Sequence, residues 1–168
     1  MGRERRWSGF AAATALCRKF CGIMYQGDEM NSAAALIGDW LGVEPPVTES
    51  AVLGIIEKQL ETPAIQRLLD MGFSRDEVHS VIIPARTLQH RRSRKERLSV
   101  EESDRVIRAL RVLWSAEGVY ESRERAMEWL RRPNPRLSGR SPISLLKTDT
   151  GARIVEELLG QIDEGYFI

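Results

Sequence analysis

Few residues in this chain could carry covalent or acid–base chemistry, and their spacing argues against it. His79 and His90 are its two histidines; neither has a cysteine nearby or falls in an HExxH pattern, so neither reads as a metal ligand or general base. Cys17 and Cys21 stand at helical i,i+4 spacing, enough for half a metal site, but no second pair follows to complete one. Glu156-Glu157 and Asp163-Glu164 are adjacent pairs that diverge on a helix and make poor acid/base partners. There is no Ser-His-Asp set and no glycine-rich phosphate loop. The expectation is a non-enzymatic protein with no catalytic residue, metal or cofactor, whose chemistry is that of binding.

Charge distribution indicates what could be bound. Overall charge is near neutral, 25 basic against 24 acidic residues, so bulk charge selects no partner. Locally, Arg86, Arg91, Arg92, Arg94, Lys95 and Arg97 face one acid, Glu96, with His90 among them. From Asp149 onward the balance reverses: Asp149, Glu156, Glu157, Asp163 and Glu164 stand against Arg153. One basic segment and one acidic terminus imply two different partners. The basic segment suits DNA. Arg86, Gln89 and Arg92 share a helix face at i, i+3 and i+6, where arginine can reach guanine edges and glutamine adenine edges. Thr87 suits a phosphate contact, and His90, Arg91, Arg94, Lys95 and Arg97 add sequence-independent attraction.

The elements that must position these residues read as all-α. Period-two alternation is absent, whereas helix start signals recur. Thr62-Pro63 opens a helix with Ile65, Leu68 and Leu69 on one face, ended by Gly72. Ser74 with Glu77 is a capping box, with Phe73 and Val78 as its hydrophobic staple, and a short helix follows to about Ile82. Pro84 opens a helix from Ala85 to about Arg92. Ser99 with Glu102 is a second capping box before the longest helix, where Val106, Ile107, Leu110, Leu113 and Trp114 form a buried stripe. Arg105, Arg108 and Arg111 point elsewhere, and Gly118 is expected to close this helix. Ser122 starts another helix, stopped by Pro133. A loop, Arg132–Arg140, and a single turn after Ser141-Pro142 lead to a last helix capped by Thr148. Its expected apolar face is Ile154, Val155, Leu158, Leu159 and Ile162.

Three segments follow: a leader (1–46), a helical bundle with a basic third helix (47–97) and a second helical unit (98–168). Within the leader, Gln26-Gly27-Asp28-Glu29 back-translates to a ribosome-binding sequence, so Met30 is expected as the physiological start. Leu36, Ile37, Trp40 and Leu41 lie at helical spacing and can pack in cis or join a partner. The apolar run after Arg3, Arg5 and Arg6 is broken by Arg18-Lys19 before a convincing cleavage site, and no run approaches the ~18 residues that span a bilayer. The expected location is the cytoplasm, away from membranes.

Three short helices from Thr62 to Arg97, the third basic, have the layout of a helix-turn-helix domain, except that the turn lacks the usual glycine. From Leu98 onward the chain resembles the MbcA/ParS/Xre family of antitoxins. The matching features, in order, are EESDR opening the long helix, Trp-Leu followed by Pro-Asn-Pro-x-Leu, and Gly-Arg-x-Pro-x-x-Leu-Leu-x-Thr. Gly-Ala-Arg-x-Val-x-x-Leu-Leu and a terminal Gly-x-Phe complete them. Upstream, IPARTLQHRR is similar to the family's helix-turn-helix, including a branch without the turn glycine.

The resemblance implies an N-terminal Xre-like helix-turn-helix bundle followed by a small helical toxin-binding domain. It implies an antitoxin that silences a RES-domain toxin degrading NAD and represses its own promoter DNA. Covering the toxin's NAD pocket would then fall to Arg153, Leu158, Gln161, Ile162, Gly165, Tyr166, Phe167 and Ile168. An acidic helix suits a pocket built for a doubly phosphorylated dinucleotide, and aromatic residues are favoured anchors. A homodimer or a larger hetero-oligomer with toxin is expected, because one short recognition helix gives limited specific contact. Two readings remain beside it: a free-standing transcription regulator, and an interaction scaffold without DNA affinity.

Overall fold

A computed structural model of the chain describes residues 36–42 and 48–165, and every described element is helical. After a helical stretch at 36–41 come α1 (Glu49–Glu57), α2 (Pro63–Asp70), α3 (Arg75–Val81) and α4 (Ala85–Arg94). Then follow α5 (Val100–Tyr120), α6 (Arg123–Arg131), a 3-10 turn (Pro135–Leu137), α7 (Pro142–Leu145) and α8 (Asp149–Asp163). The proposed start at Met30, the two cysteines, Pro45-Pro46 and the tail Tyr166–Ile168 lie outside the described residues.

α5 is the axis of the molecule. Val106, Ala109, Leu110, Val112, Leu113 and Ala116 are all fully buried, and α1, α2, α6 and α8 pack around them. A helix apolar on most of its circumference belongs inside a protein, and this one is wrapped from several sides. Trp114, expected in the buried stripe, is half-buried at the surface instead. The core runs continuously from Val52 in α1 to Leu159 in α8.

Local chemistry sets the helix ends. Ser74 and Ser99 each accept the backbone N–H three residues on, while Glu77 and Glu102 reach back to the serine N–H at 2.7 Å, so both capping boxes form. Thr48, Ser122 and Thr148 cap α1, α6 and α8 in the same manner. Gly72, at φ +104°, ends α2. Gly118 does not end α5, which continues to Tyr120 and stops where Glu121 turns left-handed at φ +53°. Gly151, one turn into α8, is required by close approach: a Cβ there would lie 2.1 Å from the Leu145 carbonyl oxygen.

The α3–α4 turn shows why no glycine is needed. Ile82 stays right-handed, Ile83 donates its N–H to the Val78 carbonyl at 3.1 Å, and both side chains are buried. Among the described residues no positive φ occurs between Gly72 and Lys95, so the constraint that would select glycine is absent. Pro84 then leads into α4 with its carbonyl accepting from Leu88 at 3.0 Å.

The arginines of α5, set apart from its buried stripe, do not simply face solvent. Each is partly buried and ties α5 to a neighbour: Arg105 donates to the Ile82 carbonyl, Arg108 to the Leu146 carbonyl and Asp104, and Arg111 to Glu49 of α1. Long stems let these side chains cover apolar surface while their heads find carbonyls at element ends. The helical stretch 36–41 packs in cis: Ile37 is fully buried, and Arg67 donates to the Trp40 carbonyl while lying over its ring.

Candidate nucleic-acid and toxin interfaces

α4 sorts its cations into two groups. Arg91 turns inward. Its Nε lies 2.8 Å from Glu102, which is 7% exposed, and its Nη1 donates to the Arg97 carbonyl. Arg97 is also held, its guanidinium bonding the carbonyls of Lys58 and Gln59 and the carboxylate of Glu61. Both were expected at a DNA contact; the structure places them in the joint between α1, α4 and α5. The side chains of Arg86, Gln89 and Arg92 stand exposed on one face with no intramolecular hydrogen bond or ion pair, and His90 is exposed beside them. Thr87 is partly buried at the start of α4. Arg94 and Lys95 are exposed at its end, where Arg94 pairs loosely with Glu96 at 3.8 Å. Lys95 takes the left-handed C-cap position usually given to glycine.

What fixes α4 is the segment Glu102–Arg105. Glu102 caps α5 and holds Arg91, and the fully buried Ser103 hydroxyl accepts the Leu60 N–H at 2.9 Å. Leu98 N–H meets the Leu60 carbonyl at 2.8 Å, and Arg105 holds the turn before α4. α4 is therefore held in place by bonds from the start of α5.

A groove of about 270 Å³ runs between α2, α3 and α4, with Ile65, Leu69, Val78 and Leu88 as floor and Gln66, Arg75, Gln89 and Arg92 at its rim. Arg75 and Gln66 thus share the surface of the α4 residues. At Arg75 the sequence offers only a cation just after a helix cap; its place beside Arg92 is set by how α3 crosses α4.

α8 divides in a similar way. Leu158, expected at the toxin, is 5% exposed and packs in the core with Val155 and Leu159, so its side chain is spent on its own domain. Ile154, expected in the buried stripe, is instead 43% exposed. It joins Arg153, Glu157 and Gln161 on the accessible side, whereas Ile162 is partly buried against the core; Gly165 follows at φ +77°. Arg153 pairs with Asp149 at 2.9 Å, and Gln161 accepts a hydrogen bond from Arg136 of the 3-10 turn. Toward α5, Glu156 lines a small cleft with Asp104, Arg108 and Arg111. Burial there pushes its carboxyl above the usual value, against the pull of Arg111.

The two halves meet at a clamp. Arg131, last residue of α6, places Nε 2.6 Å and Nη2 3.0 Å from the two carboxylate oxygens of Glu77 and donates from Nη2 to the Gly72 carbonyl at 2.7 Å. Partial burial would raise the Glu77 carboxyl, but these bonds and the Ser74 N–H hold it below its ordinary value of 4.5. Among the described residues no cluster of His, Cys, Asp and Glu could hold a metal ion, and no helix is long and apolar enough to cross a membrane.

Comparison with known proteins agrees with this layout. Residues 51–111, covering α1 through the first half of α5, match the model of the antitoxin Xre-like helix-turn-helix domain. Residues 115–165 match that of the antitoxin Xre/MbcA/ParS C-terminal toxin-binding domain. The chain is 45% identical to an Antitoxin Xre of Pseudomonas putida over 51% of this chain and 54% of that protein, so it spans about half the length of this relative. An Antitoxin Xre of Yersinia enterocolitica is 35% identical over 59% of this chain and 78% of its own length. A Prs ADP-ribosylating antitoxin of a Sphingobium strain is 26% identical over 68% and 79%. With both domain models matched in order and on the observed helices, the chain belongs to the Xre/MbcA/ParS antitoxin family.

Proposed function

We propose that this protein is the antitoxin of a toxin–antitoxin pair, neutralising a RES-type toxin that degrades NAD and repressing its own promoter. Side chains of α4 and its C-cap would meet DNA: Arg86, Gln89 and Arg92 at base edges, and Thr87, His90, Arg94 and Lys95 at phosphates. Arg91 and Arg97 position the helix rather than touch DNA. The accessible side of α8, with Arg153, Ile154 and Gln161 and the edge of the partly buried Ile162, would dock on the toxin and direct Gly165, Tyr166, Phe167 and Ile168 into its NAD pocket. Pairing of two copies, in a homodimer or a larger complex with toxin, would supply two DNA half-sites in the cytoplasm.

The observation that carries this reading is the sorting of charge. Once the arginines bound to their own chain are subtracted, the remaining cations of the basic segment gather on one exposed face of the second helix of a helix-turn-helix. Deleting Gly165–Ile168 tests the division of labour. Binding to promoter DNA should persist while rescue of cells from the co-encoded toxin is lost. Retained rescue would remove the tail from the mechanism.

A further inference from the structure

Beyond α4, the exposed cations extend across the domain boundary. Arg75 sits at the first position of α3 and rims the groove that Gln89 and Arg92 also line. At the same helix start, Arg131 grips Glu77 and the Gly72 carbonyl, which brings the end of α6 against the helix-turn-helix. The chain then leaves α6 through Arg132 into a loop closed on itself: the Asn134 N–H donates to the Arg140 carbonyl at 3.0 Å, and the Gly139 N–H to Asn134. Arg132 and Arg140 flank that closure. Both side chains are exposed and have no hydrogen bond or ion pair. Arg136, between them, is engaged with Gln161. The loop holds no acid from Arg132 to Arg140; the nearest carboxylates in sequence along this track are the exposed Asp76 beside Arg75 and Glu128 one turn before Arg132.

Unpaired guanidinium groups on a loop clamped to the helix-turn-helix suit a polyphosphate backbone, which presents regularly spaced charge and accepts arginine in bidentate fashion. We propose that the α6–α7 loop of the toxin-binding domain is a second contact with DNA. Arg132 and Arg140 take backbone phosphates beside the site that α4 reads, and Arg75 bridges the two patches. The inference rests on the DNA-binding reading above and extends it to residues of the other domain. The clamp through Arg131 is what lets a loop of one domain keep register with the recognition helix of the other.

The test uses the full chain and two duplexes: one spanning its own promoter and a random-sequence duplex of equal length, titrated by fluorescence anisotropy over a range of salt. Phosphate contacts act on both duplexes alike, and each one lost should reduce the slope of log K against log salt by about 0.9. The double variant Arg132→Gln/Arg140→Gln should therefore lower the slope by about 1.8 on both duplexes, with its thermal midpoint unchanged because both side chains are exposed and unpaired. Arg125→Gln removes a like charge from the other end of α6 and should leave the slope as it is. An unchanged slope in the double variant overturns the proposal while the α4 reading stands, and lost toxin neutralisation with an unchanged slope would mark the loop as a toxin contact instead. An equal fall in Arg125→Gln overturns it in favour of bulk charge. Wild-type protein that binds neither duplex ends both readings.

Discussion

At Arg91 the guanidinium meets a nearly buried carboxylate, whereas the adjacent Arg92 ends in solvent at the rim of a groove. One basic run therefore holds two kinds of residue. Arg91→Ala leaves Glu102 with an unanswered charge and should cost about 2 kcal/mol of stability. Arg92→Ala should change stability by less than about 0.5 kcal/mol, weaken promoter binding by about 1–3 kcal/mol and relax its sequence preference. Denaturant midpoints and binding to promoter and random-sequence duplexes check this on both variants, and a reversed pattern would contradict the assignment. The sequence alone showed the capping boxes, because serine and glutamate three residues apart are coupled by the helix itself. It did not show which arginines were free, because Arg91 answers to a residue eleven positions away and Arg131 to one fifty-four away. Only the packing of helices decides those pairs.

At the scale of elements, α3 is the piece both domains hold. Its start is fixed by the Ser74–Glu77 box, and the same Glu77 carboxylate anchors α6 through Arg131. Because folding lowers the Glu77 pKa, the native state gains stability above the ordinary value of 4.5 and loses it as pH falls through the depressed one. Glu77→Gln keeps a capping side chain and removes the ion pair. With Arg131 half exposed and screened by solvent, the loss should be only about 1 kcal/mol at neutral pH. It should shrink toward zero well below pH 4.5, where the wild-type carboxyl is itself protonated. Denaturation midpoints of both proteins across that range measure it, and a difference independent of pH would place the effect in the cap rather than the clamp. Helix starts were read closely from Thr62, Ser74, Ser99, Ser122 and Thr148, since each signal is local. The end of α5 was misplaced at Gly118 because glycine inside a helix costs only about 1 kcal/mol, which packing on both sides of a central helix overrides. Ile154 was assigned to the core by periodicity, yet the partners wrapped around α8 leave it exposed.

Across the whole molecule, α5 belongs to both parts. The helix-turn-helix match ends at residue 111 and the toxin-binding match begins at residue 115, both within α5, and the core passes through it without a break. On the proposed reading, DNA and toxin would meet two surfaces of a single packed body. The first turn of α5 steadies α4, and the middle of α5 carries α8 through Val155 and Leu159. The central claim is that this body shields NAD from a RES-type partner. The most direct measurement is NAD consumption by the purified co-encoded toxin during titration with the full chain. The account predicts that NAD loss falls to the background rate once the chain matches its toxin at the stoichiometry of the complex. Undiminished consumption in the presence of excess chain would contradict it.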